Sequence, residues 1–76
     1  MYNEEMNMDI VPMSKQELAQ MYAPDLTPRA AVNRLAKWIK INPALVKALE
    51  AAGYVKQSKI FTSKQVKIIM EYLGEP

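Results

Sequence analysis

Residues 14–41 read SKQELAQMYAPDLTPRAAVNRLAKWIKI, and the stop and start signals inside this stretch decide the fold. Ser14 with Glu17 three residues later predicts a capping box, and Met13 with Leu18 predicts the hydrophobic staple around it. Leu18, Met21 and Tyr22 then recur at i, i+3 and i+4, the spacing of one buried helical face. Pro24 pushes Ala23 out of the helical region, so this first helix spans 14–23. Thr27 before Pro28 is an N-cap followed by proline at the first helical position, where a missing N–H is no loss. The helix that begins there runs to Ile41, with Val32, Leu35, Trp38 and Ile39 on its inner side. At roughly 100° per residue, Arg29, Asn33, Lys37 and Lys40 fall within about 80° of one another on the opposite side, flanked by Arg34.

Working outward, Asn42-Pro43 repeats the cap-plus-proline signal and starts a third helix presenting Leu45, Val46 and Leu49. Gly53 is placed to close it through a left-handed cap. Tyr54–Val55 and Ile60–Phe61 are β-prone pairs separated by Lys56-Gln57-Ser58-Lys59, a pattern that predicts a small hairpin with a basic tip. Thr62 with Gln65 forms another capping box, Phe61 with Val66 another staple, and the last helix ends at Leu73 before Gly74. Toward the N-terminus, Met8 to Met13 suits a short strand, confined to an edge by Pro12. Residues 1–9 read as a flexible tail and 10–76 as a single helical domain. The predicted fold is mainly α, with four short helices around one core and a small β-hairpin, an order like that of a winged helix-turn-helix.

Composition supports folding and narrows function. Eighteen of the 76 residues are Leu, Ile, Val or Phe, above the range in which chains stay disordered. A domain of this size buries only roughly 60% of its unfolded surface, which leaves little room for a deep substrate cavity. The chain has neither cysteine nor histidine, so disulfides, thiolate nucleophiles and the usual zinc ligands are excluded. No apolar run approaches the roughly 20 residues that span a bilayer. Residues 1–9 carry Glu4, Glu5 and Asp9 and no base, unlike a signal peptide. The expectation is a cytoplasmic protein with no membrane partner.

Charge is distributed unevenly. Residues 1–25 hold one lysine against five acids, a balance of −4, whereas residues 26–67 hold nine Lys and Arg against Glu50 alone, a balance of +8. Such a concentration favours an anionic partner. Glu4, Glu5, Asp9, Glu17 and Asp25 do not form a catalytic set, because general acid–base pairs need carboxylates fixed around a pocket. Gly53 and Gly74 are the only glycines, so there is no glycine-rich phosphate loop. The expected protein is not an enzyme and takes no metal, no cofactor and no small-molecule substrate.

The helix 14–23, the tight connection at 23–26 and the basic helix 28–41 together predict a helix-turn-helix that binds double-stranded DNA. Arg29 and Asn33 are of types that read guanine and adenine, Lys37 and Lys40 suit phosphates with Arg34 beside them in the DNA-binding set, and Lys56 and Lys59 belong to a wing-like tip. The same pattern also fits charges that are simply solvated on an exposed helix. Trp38 suits stacking on a base, or core packing beside Leu35 and Ile39. In the last helix, Val66, Ile69, Met70 and Leu73 make one stripe, and Ile68 with Tyr72 widens it. That surplus fits either internal packing or an interface, so the alternative function is an adaptor that meets a homodimer mate or protein partner through this helix.

The segments ELAQMYAPDLTPRAAVNRLAKWI (17–39), ALEAAGY (48–54) and FTSKQVKIIMEYLGEP (61–76) carry a resemblance. From Ser14 to Pro76 the chain resembles a family of small uncharacterised proteins from Bacteroides-type gut bacteria, classed as a domain of unknown function. That family brings no functional residue to carry over. More distantly, the element order resembles the winged-helix DNA-binding domains of the mercury-resistance regulator and excisionase type. Those domains pass from recognition helix straight to wing, whereas this chain inserts the helix 43–52.

Overall fold

The computed structural model describes residues 10–76. Its elements run β1 (Met13–Ser14), α1 (Lys15–Tyr22), α2 (Pro28–Lys40), α3 (Pro43–Ala51), β2 (Ile60–Phe61) and α4 (Ser63–Leu73). The expected tail at residues 1–9 lies outside the described residues.

Each helix starts where a side chain satisfies its first free amides. Ser14 Oγ accepts from Glu17 N at 3.0 Å, and Glu17 returns the bond to Ser14 N at 3.0 Å. Thr27 caps Ala30 N at 3.3 Å, with Pro28 in the first turn of α2. Asn42 Oδ1 caps Leu45 N at 3.2 Å, with Pro43 doing the same for α3. Thr62 and Gln65 exchange the two bonds of the second capping box at 3.2 and 3.0 Å.

The helices enclose one core. Its largest fully buried side chains are Leu18 from α1, Leu45 and Leu49 from α3, Phe61 from β2, and Val66 and Ile69 from α4. Burying each contributes about 1.5–3 kcal/mol, so no one of these elements can be removed without a loss comparable to much of a small domain's stability. α2 joins through Ala31 and Leu35, while Val32, Trp38 and Ile39 are only half-buried. The inner line of α2 is therefore rotated from the expected one toward Ala31. Trp38 lies at the core's edge, edge-on to Tyr22 with ring centroids 6.1 Å apart.

The two-stranded antiparallel element is present, but its pairing corrects the sequence reading. Ile60–Phe61 pairs with Met13–Ser14, in the register Met13↔Phe61 and Ser14↔Ile60, rather than with Tyr54–Val55. The N-terminal strand is likewise confined to Met13–Ser14, and residues 10–12 are not in a strand. The reason lies at the end of α3. Gly53 takes φ +86°, and its amide bonds to the Glu50 carbonyl while Tyr54 N bonds to the Leu49 carbonyl. This Schellman closure consumes the Tyr54 N–H that a local hairpin would need. Residues preceding a helix cap are already extended, so the segments leading into α1 and α4 pair side by side.

Candidate nucleic-acid interface

Arg29, Asn33, Lys37 and Lys40 stand exposed along α2, opposite the buried Ala31 and Leu35, and Arg34 stands exposed at their flank. No side-chain hydrogen bond among the described residues engages any of the five. Lys37 and Lys40 also occupy the last turn of α2, where the negative end of the helix dipole favours cations.

Lys56 and Lys59 are exposed in the turn between α3 and β2. This turn is held as a single loop rather than as two strands. Ser58 N bonds to the Val55 carbonyl at 3.0 Å, and the Ser58 hydroxyl donates to the Ile60 carbonyl at 2.8 Å. From α1, Lys15 N bonds to the Lys59 carbonyl at 2.9 Å, and Lys15 Nζ donates to the Lys56 carbonyl at 2.9 Å. Lys15 Nζ also lies 5.0 Å from the centre of the Tyr54 ring, which itself stacks on Phe61 at 5.5 Å. Lys15 thus ties the turn to α1, a role that its position in the sequence did not signal.

The fold gathers part of the predicted set. Lys37, Lys40 and Lys56 line one open groove of about 1090 Å³, whereas Arg29, Asn33, Arg34 and Lys59 lie outside it. Glu50 is the one acid among the described residues of its lining. Its apolar surface includes Ile41 and Val55, which sequence reasoning assigned to no site. Ile41 directly follows an amphipathic helix and Val55 follows a helix-closing glycine, and neither position alone implies a shared surface.

On α4, Ile68 is half-buried against the core and Tyr72 is 45% exposed. Gln65 is 4% exposed and donates from Nε2 to the Ala52 carbonyl at 3.0 Å, joining the end of α3 to the start of α4. Among the described residues no cluster of three or more Asp and Glu side chains is placed to hold a metal ion. No helix among them is long and apolar enough to cross a membrane.

No curated protein and no solved structure matches the chain. The model of one family, described as a domain of unknown function (DUF4248), matches residues 9–76, which takes in the whole described fold. By that match the chain belongs to the DUF4248 family.

Proposed function

We propose that the protein is a non-catalytic, cytoplasmic module that binds double-stranded DNA through α2, with α1 and the turn at 23–27 as the first part of a helix-turn-helix. The observation that carries this reading is the state of α2. Five basic or amide side chains are exposed on a helix that buries Ala31 and Leu35, and none spends its hydrogen-bonding capacity among the described residues. Arg29 and Asn33 supply base-reading chemistry, and Arg34, Lys37 and Lys40 supply phosphate contacts. Lys56 and Lys59 extend the basic surface from a loop in place of a two-stranded wing. The likeness to winged domains of the mercury-resistance regulator and excisionase type therefore rests on the α1–turn–α2 part. The resemblance to Bacteroides-type proteins suits a small regulator or a mobile-element accessory protein.

The test is fluorescence anisotropy with labelled duplex DNA of mixed sequence across a salt series. Affinity is expected to fall steeply with salt, because each phosphate contact releases counterions. Lys37→Ala with Lys40→Ala should weaken binding and flatten the salt slope by up to about two phosphate contacts, with folding nearly intact. Salt-independent binding, or binding that ignores both changes, overturns the reading.

A second reading has one observation in its favour. Tyr72 is 45% exposed beside the half-buried Ile68, which suits a protein-interaction adaptor or homodimer contact on α4. That complex should survive high salt and be lost in Tyr72→Ala.

A further inference from the structure

The two most exposed large apolar side chains among the described residues are Ile41 at 69% and Val55 at 57%. They are far apart in sequence, yet both line the groove between the C-terminal half of α2, α3 and the turn at 54–57. Ile39, Val46 and Tyr54 continue the apolar lining. Lys37 and Lys40 border it from α2, Lys56 borders it from the turn, and Glu50 is the single opposing charge among the described residues. Exposing isoleucine and valine to water in one concave place is unfavourable unless something covers them.

We propose that this groove docks an acidic amphipathic helix of a partner protein. At about 1090 Å³ the groove is at or beyond the upper end of the roughly 300–1,000 Å³ typical of small-molecule pockets, and it is open to solvent. An open trough of this size suits a chain segment. A helix laid in a groove offers apolar anchors at i, i+3, i+4 and i+7. Leucine or phenylalanine there meets Ile41, Val55 and Tyr54, and glutamate or aspartate beside the stripe meets Lys37, Lys40 and Lys56. Three lysines against one glutamate select an acidic occupant over a neutral or basic one.

Docking stands whether or not α2 meets DNA. One consequence does rest on the DNA reading: the groove shares Lys37 and Lys40 with the proposed duplex surface, so peptide and duplex exclude one another there.

The experiment uses the full chain and a fluorescein-labelled helical peptide of about 14 residues, with leucines at i, i+3, i+4 and i+7 flanked by glutamates. The controls are the same peptide with lysine for glutamate and a scrambled version. The acidic peptide is expected to bind in the micromolar range, at least about tenfold more tightly than either control. Ile41→Ser with Val55→Ser should weaken it by about tenfold or more while leaving duplex affinity and thermal unfolding unchanged. Arg29→Ala with Asn33→Ala should do the reverse, so failure of docking and failure of DNA binding are separately visible. Equal binding of all three peptides, or indifference to the Ile41 and Val55 changes, overturns the proposal. So do three other outcomes, each naming another occupant. Self-association abolished by those changes assigns the groove to a second copy, and retention on phosphatidylserine vesicles abolished by them assigns it to a membrane surface. A roughly tenfold gain in peptide affinity when Glu4, Glu5 and Asp9 are neutralised assigns it to the chain's own acidic segment.

Discussion

Gln65 is nearly water-free and has both ends of its amide engaged, the oxygen by Thr62 N and the nitrogen by the Ala52 carbonyl. Gln65→Glu keeps the acceptor for Thr62 and puts an oxygen where the Ala52 carbonyl needs a donor. The expected cost is at least about 1–3 kcal/mol, because the half-buried Ala52 carbonyl loses its donor and the new carboxylate is itself buried. Thr62→Ala removes only the cap and should cost about 1 kcal/mol. Urea denaturation of both variants measures the difference, and a Thr62→Ala midpoint equal to that of the parent would argue against the cap as a source of stability. Gly53 is a different kind of residue. A Cβ there would meet no atom within 4 Å, so its requirement comes from φ +86° alone. Gly53→Ala should therefore destabilise by about 1–2 kcal/mol through backbone strain, with no change in packing. A midpoint shift below a few tenths of a kcal/mol would show that the α3 closure relaxes to another conformation.

At the scale of elements, the starts of the four helices were legible because each depends on residues within one turn. Ser14/Glu17, Thr27-Pro28, Asn42-Pro43 and Thr62/Gln65 are local statements about which amide meets which side chain. The pairing of Ile60–Phe61 was not legible, since its partner lies at the other end of the fold and the nearer candidate had lost its amide to the Gly53 closure. The candidate site divides in the same way. The exposed row on α2 follows from helical period within one segment, whereas the groove joins Ile41 to Val55 only after α3 has folded back. Trp38 shows the limit of period alone, because α2 buries Ala31 and Leu35 and leaves the indole half-buried. For α2 itself the expected behaviour separates reading from gripping. Asn33→Ala should flatten the preference among duplex sequences more than it lowers overall affinity, since an amide reads a base edge and adds no charge. Competition binding with a randomised duplex pool measures this, and an unchanged preference would remove Asn33 from base recognition.

At the scale of the whole molecule, Tyr22 connects three helices. Its ring leaves α1 to meet Trp38 of α2 edge-on, and its hydroxyl donates to the carbonyl of Gly74, which closes α4. Burial raises the Tyr22 pKa above its ordinary value of 10.0, and the nearby Glu75 carboxylate raises it further. In the unfolded chain the phenol ionises at its ordinary value, so above that pH the unfolded state loses its proton first. The contribution of neutral Tyr22 to stability is thus fully present below pH 10 and is lost as pH rises through the folded value. Tyr22→Phe removes both the hydroxyl bond and this dependence. At neutral pH the variant should be less stable by about 0.5–1.5 kcal/mol, toward the lower figure because the exposed Gly74 carbonyl can turn to water. Over the range from about pH 9 upward the parent should lose stability faster than the variant, so the gap narrows as pH rises through the folded value. Paired urea midpoints at several pH values measure the gap, and a constant difference across that range would show that Tyr22 ionisation takes no part in the alkaline unfolding of this fold.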